Sequence, residues 1–254
     1  MRLLVSVLDA EEARAALAGG ADVIDVKDPR EGALGAPSPR KLAEVVRAVD
    51  GAAPISVALG DMPDLPHTAA LAACGAVAAG ANYVKVGLRG VRELDRAVRL
   101  IRAVARATEG RARVIAAAYA DAETLEPPAL DPRLLPALVA ATGLDGALID
   151  TFRKDGHGLY AYLGEAELGE LLARTHRAGA TLALAGQLHR GELTRVRADL
   201  VGVRSAVCRG GRSGALDQDL VAAAAAEVHG TAAGRAAAAA SPAGTGLALA
   251  EQGR

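Results

Sequence analysis

The sequence predicts an α/β protein, a single (β/α)8 TIM barrel, and three observations lead there. Eight short runs rich in Val, Ile, Leu and Ala recur without polar alternation, the pattern of parallel strands covered on both faces. Each is followed by a segment of helical spacing, and most of those segments stop at a glycine. Eight such units fill residues 1–229, close to the ~250 residues usual for this architecture. A competing open doubly wound sheet would carry a phosphate-binding fingerprint after an early strand. No GxGxxG or P-loop follows the first run.

Taken in order, residues 3–7 form the first apolar run. Asp9 then suits the cap of a helix over 10–18, which Gly19-Gly20 ends. Residues 22–26 are the second strand, after which Pro29 and Gly32 turn the chain. Residues 40–49 are helical, with Leu42, Val45, Val46 and Val49 on one face. Strand 55–59 leads to a helix from about 68 to 79, and strand 83–86 to an amphipathic helix over 92–108. Strand 113–118 is followed by a helix over 134–141, with Pro132 at its start and Gly143 as its stop. Strands 147–150, 181–185 and 200–203, with helices 165–177, 192–197 and 216–228, complete the eight units. Residues 230–254 are Ala/Gly-rich and nearly featureless, so a flexible, low-complexity C-terminal tail is expected.

Composition excludes several function classes. A net charge of −1 gives no basic excess for nucleic acid, and 2% aromatic residues give few rings for bases to stack on. No apolar run approaches the ~18 residues of a membrane span, and the first seven residues lack a signal-peptide pattern. Cys74, read as a helix-core residue, and Cys208 form no metal spacing. The five histidines lie in different units, so neither a metal site nor a cofactor is expected. The composition is that of a soluble cytoplasmic protein, and a homo-oligomer is compatible with it.

Of 29 basic residues only four are lysines: Lys27, Lys41, Lys85 and Lys154. Arg replaces Lys in most surface roles, but its guanidinium stays protonated and cannot act as an amine nucleophile. Lysines that persist against such a bias are enriched where an amine is required; Lys41 also reads as an ordinary helix-surface residue. In a barrel, catalytic groups come from the C-terminal ends of several strands. Those ends carry Ser6, Asp25 with Lys27, Asp61, Lys85, Asp121, Asp150 with Lys154, Gln187 and Arg204.

Each of these lysines alone reads as a solvated charge, but three amines and several carboxylates around one mouth suit carbonyl chemistry. A buried amine beside other cations is nucleophilic near neutral pH and condenses with an aldehyde. A second lysine can move protons at the α-carbon. Asp25 and Lys27, two apart on a strand, point to the same side. The loops after strands seven and eight commonly bind phosphate in this fold, which draws Gly186, Arg204, Ser205, Arg209, Gly210 and Gly211 into a candidate phosphate site. The residues alone leave open which lysine forms an imine. They also leave open a class I aldolase on triose or other sugar phosphates, or a non-catalytic sugar-phosphate-binding barrel.

Four stretches carry a resemblance. Asp25-Val-Lys-Asp-Pro-Arg-Glu-Gly-Ala-Leu-Gly35, Tyr83-Val-Lys-Val-Gly-Leu88, Asp150-Thr-Phe-Arg-Lys-Asp-Gly156 and Val201-Gly-Val-Arg-Ser-Ala-Val-Cys-Arg-Gly-Gly211 closely resemble the motifs of the (5-formylfuran-3-yl)methyl phosphate synthase family. The likeness spans roughly residues 1–228. It implies a (β/α)8 carbon–oxygen lyase of methanofuran biosynthesis that condenses two molecules of glyceraldehyde 3-phosphate, releasing phosphate and water. It further implies Lys27 as the Schiff-base lysine, Lys85 as the proton acceptor, and Asp25, Asp150 and Lys154 as supporting groups. The sequence departs from the family pattern at Ser205, where glycine is usual, and at Arg209, where lysine is usual.

Overall fold

The computed structural model describes residues 1–240, with side chains described as far as Gly230. Eight parallel strands close a barrel in chain order. They are β1 (Arg2–Val7), β2 (Val23–Val26), β3 (Ile55–Asp61), β4 (Tyr83–Gly87), β5 (Arg113–Tyr119), β6 (Gly146–Asp150), β7 (Thr181–Leu184) and β8 (Leu200–Val203). The helices between and after them are α1 (Ala10–Ala18), α2 (Pro39–Val49), α3 (Pro66–Ala78), α4 (Leu94–Thr108), α5 (Leu135–Thr142), α6 (Glu165–Arg177), α7 (Arg190–Leu193) and α8 (Gln218–Ala240).

Outward strand residues such as Leu3, Val5, Ile24, Val57, Val84 and Ile149 pack against the helices in one fully buried layer. Burying each stabilises the barrel by about 1.5–3 kcal/mol. A second, inner cluster fills the barrel itself and includes Val23, Ala58, Ala117, Tyr119, Leu148, Ala183 and Leu200. Strand side chains alternate between these two layers with period two. Because the strands are parallel and in register, the inward positions meet across the sheet. Ser6 faces Asp25, Asp25 faces Ser56, Ala58 faces Lys85 and Tyr119 faces Asp150. Register thus delivers the charged inward residues of β2, β4 and β6 to one end of the barrel.

Element boundaries differ from the sequence reading where local chemistry intervenes. α3 starts at Pro66 rather than near residue 68, because a proline at the first helical position has no N–H to leave unsatisfied. β3 runs on through Gly60 to Asp61, with a register irregularity against β4 that the apolar pattern does not reveal. Cys74 is exposed on α3 rather than in its core; Ala69, Ala73 and Ala76 form the buried face of that helix. α7 covers Arg190–Leu193, earlier than the 192–197 expected from spacing. α8 continues to Ala240, and the rest of the expected tail, residues 241–254, lies outside the described residues. Among the described residues no helix is long and apolar enough to cross a membrane.

The turn after β2 explains much of the Asp25–Gly35 motif. The Asp28 side chain caps a 3₁₀ turn over Pro29–Glu31 by accepting from the Arg30 N–H. Gly32 lies at φ 120°, a conformation open to glycine. The Asp28 N–H donates to the Gly35 carbonyl at 2.9 Å and closes the loop. A Cβ on Gly35 would lie 2.1 Å from the Asp28 carbonyl oxygen. We expect Gly35→Ala to retain the far-ultraviolet circular dichroism of the barrel but to melt ~2–4 °C lower for each kcal/mol of strain. An unchanged or raised melting temperature would show that the loop yields freely.

Candidate active site

A chamber of about 70 Å³ lies inside the barrel, lined from Arg2, Tyr83 and Arg113 at the N-terminal strand ends to charged residues at the C-terminal end. Its lining includes Asp25, Lys27, Lys85, Asp150 and Lys154, brought together from β2, β4, β6 and the loop after β6. Gly186, Arg204 and Ser205, from the ends of β7 and β8, line it too.

Two carboxylates organise the three amines. Lys85 Nζ lies 2.6 Å from Asp25 Oδ1, and both side chains are almost fully buried. Lys85 reaches from β4 to β2 because the inward residues of the intervening β3, Ser56 and Ala58, are small. The other Asp25 oxygen accepts from Ser6 Oγ at 3.0 Å. On the opposite wall, Lys154 Nζ donates to Asp150 Oδ1 at 2.8 Å and to the Thr151 carbonyl at 2.6 Å. The Thr151 N–H donates to the same Asp150 oxygen at 2.7 Å. Burial pushes the Asp150 carboxyl up, but Lys154 and Lys27, with the hydrogen bonds from Lys154 and Thr151, outweigh it and hold it down at about 2. Asp150 is therefore held as a carboxylate near neutral pH.

Lys27 is different. It is 6% exposed, and among the described residues its amine makes no hydrogen bond or ion pair. Burial is the largest influence and lowers its pKa; Asp150 and Asp25 pull it back up, while Lys85 and Lys154 lower it further, leaving it at about 7. A buried amine without a paired carboxylate is available as a free base near neutral pH.

The loop after β8 departs from the sequence reading. Arg204 is 5% exposed and its guanidinium is already held. Nη1 and Nη2 donate to the two Glu12 oxygens at 2.8 and 3.1 Å, Nη1 to the Ser6 carbonyl at 3.0 Å, and Nε to the Arg212 carbonyl at 3.2 Å. Arg204 thus ties α1 and β1 to the loop and offers little to a ligand. Arg209 is 73% exposed and pairs with Asp217, and Arg209, Gly210 and Gly211 do not line the chamber. Arg212, passed over in the sequence, does line it, and among the described residues its guanidinium makes no ion pair. Its only signal in the sequence is membership of the same arginine-rich loop.

Other strand-end residues act as scaffold. Asp61 accepts the Tyr119 hydroxyl at 2.7 Å, and burial raises its pKa. Tyr119 is fully buried and stacks edge-on against Phe152. Asp121 accepts from the Phe152 and Arg153 N–H groups at 2.7 and 2.9 Å and so fixes the loop that carries Lys154. Gln187, at φ 51°, donates to the His157 carbonyl at 2.7 Å and joins the loops after β6 and β7. Burial raises the Cys208 thiol, which disfavours the thiolate. No group of three metal-ligating side chains occurs among the described residues.

Comparison with known proteins adds identity to this geometry. The family model described as 4-HFC-P synthase matches residues 3–225. A (5-formylfuran-3-yl)methyl phosphate synthase from Methanosarcina mazei is 41% identical over 227 residues, covering 87% of this chain and 96% of that protein. The enzyme of the same name from Methanocaldococcus jannaschii is 41% identical over 229 residues, covering 87% and 97%. Among solved structures, phosphoribosyl anthranilate isomerase in complex with a reduced ribulose phosphate superposes with a TM-score of 0.61 at 17% identity, covering 91% of this chain and 99% of that one. Orotidine 5'-phosphate decarboxylase from Pyrococcus horikoshii gives 0.59 at 16% identity, covering 89% and 99%. At such identities these two likenesses speak for the barrel alone.

Removing Glu12 would leave the Arg204 guanidinium buried and unpaired, at a cost on the order of 3 kcal/mol. We expect Glu12→Ala to lower the unfolding free energy by that amount in urea titration. A loss below about 1 kcal/mol, typical of an exposed pair, would contradict the structural role given to Arg204.

Proposed function

The chain belongs to the 4-HFC-P synthase family, and on that premise we propose that it is a Schiff-base lyase making a furan phosphate from two triose phosphates. The product is (5-formylfuran-3-yl)methyl phosphate, formed from two molecules of glyceraldehyde 3-phosphate with loss of one phosphate and two waters, as an intermediate for methanofuran. The relatives' shared name supports the product. The observation that carries the mechanism is the unpaired, buried Lys27 amine, with its pKa at about 7, beside two lysines already matched to carboxylates.

Lys27 attacks the aldehyde carbon of one triose, and loss of water gives an imine. The imine withdraws electrons from the neighbouring carbon, and the Lys85–Asp25 pair takes its proton: Asp25, 2.6 Å from Lys85 Nζ, receives the ammonium proton, which frees the Lys85 amine to accept the one from carbon. The electron pair left behind expels the phosphate on the next carbon as the C–O bond breaks. The alkene so formed is the electrophile for the α-carbon of the second triose: that carbon loses its proton as the new C–C bond forms, and a proton is returned to the first triose's carbon next to the imine. Ring closure, dehydration and hydrolysis of the imine then release the furan aldehyde and restore Lys27. Asp150 and Lys154 hold opposite charges close to the reacting carbon throughout, where positioned dipoles stabilise developing charge.

The test combines trapping with product analysis. Borohydride added during turnover of glyceraldehyde 3-phosphate should leave a reduced adduct on Lys27, found by peptide mapping. The trapping rate should rise with pH through about 7 and then level, because a lowered lysine pKa makes the free amine the form present above it. The product should have the mass and near-ultraviolet absorption of a furan aldehyde. An adduct without a furan would instead indicate a class I aldolase. No adduct at all would remove the Schiff-base mechanism and favour a binding barrel.

A further inference from the structure

A second cavity, about 340 Å³, adjoins the chamber and lies between the loops after β1, β2 and β8. Its walls include Asp28, Arg30, Lys41, Arg204, Arg212 and Ser213, so cations outnumber acids. We propose that this cavity is a phosphomonoester subsite in which Lys41 and Arg212 hold the phosphate of one of the two trioses; the assignment of trioses rests on the function proposed above.

Charge balance carries the argument. Arg30 is satisfied by Asp28, whose carboxylate accepts from Arg30 Nε at 2.9 Å and also from its backbone N–H at 3.1 Å. That pairing holds the Asp28 carboxyl low, at about 2. Arg204 is satisfied by Glu12. Lys41 and Arg212 remain, and among the described residues neither side chain makes an ion pair. Two cations without an ion-pair partner line this cavity, which matches the charge of a phosphomonoester dianion.

Each residue is also awkward without an anion. Lys41 lies in the first turn of α2, where no acidic residue is present and where the helix dipole disfavours a cation. Arg212 is partly buried with no ion-pair partner, and its burial lowers the guanidinium pKa although Asp150 pulls the other way. An anion between them would relieve both, through charge-assisted hydrogen bonds of the kind guanidinium groups form with phosphate. Arg212 lines both cavities, so a phosphate held there places the rest of a short substrate toward Lys27. Lys41 thereby joins the other three lysines at one end of the barrel.

The experiment is a calorimetric titration with inorganic phosphate, paired with steady-state kinetics on glyceraldehyde 3-phosphate. Lys41→Met and Arg212→Met should each weaken phosphate binding at least tenfold and raise KM by a similar factor. Lys41→Met should leave the melting temperature unchanged, and Arg212→Lys should recover part of the Arg212→Met loss. Borohydride trapping with unphosphorylated glyceraldehyde should label Lys27 equally in wild type and Lys41→Met. Phosphate binding unaffected by Lys41→Met, or weakened instead by Arg209→Met, would overturn the subsite even if the furan forms normally. Lys41-dependent phosphate binding in a protein that makes no furan would keep the subsite and overturn the function.

Discussion

The C-terminal end of the chamber holds three amines, Lys27 and Lys85 buried and Lys154 partly so, against two buried carboxylates, and that inequality governs the site. Asp25 is matched to Lys85 and Asp150 to Lys154. Lys27 has no carboxylate of its own. In a medium of low polarity an unmatched charge is expensive, so the least costly state of Lys27 is the neutral amine. The two matched pairs thus do more than fill the mouth. On the function proposed above, they single out which of three chemically identical groups serves as nucleophile, a distinction the residues alone leave open.

The barrel makes this arrangement possible through its register. Inward positions on neighbouring strands face one another, so Ser6, Asp25 and Ser56 form one row, while Ala58 lies beside Lys85. Small residues on β3 are as necessary as the charged ones on β2 and β4, because a longer side chain there would stand between Lys85 and Asp25. Around this centre, polar residues at the other strand ends act as fasteners. Asp121 pins the loop bearing Lys154, Gln187 ties two loops together, and the Glu12–Arg204 pair joins α1 to the loop after β8. The supporting carboxylates and amides at this end of the barrel are thus already hydrogen-bonded.

Much of this was legible in the sequence, and for physical reasons. Strands buried on both faces leave continuous apolar runs, and Asp25, Lys27, Lys85 and Asp150 close such runs, so their place at one end of the barrel follows from topology. The direction of long side chains in loops is not encoded in the same way. Arg204 and Arg209 look equivalent by spacing, yet one is buried against Glu12 and the other is exposed beside Asp217. Arg212 shows no pattern that separates it from either. Glu12 itself, in the first turn of an amphipathic helix, reads as solvent-facing until the barrel brings Arg204 to it. Lys41 is equivocal for the same reason: helical spacing places it on a surface, and only the tertiary fold shows that this surface borders a cavity.

The central claim is that the Lys27 ammonium loses its proton near neutral pH, so that a large fraction of it is the free amine before any substrate binds. With four lysines in the chain, ¹³Cε-lysine labelling gives a spectrum simple enough to assign by Lys27→Met. The Lys27 resonance should titrate with a midpoint near 7, as its burial beside Lys85 and Lys154 requires. A midpoint above about 10, that of a solvated lysine, would contradict the account.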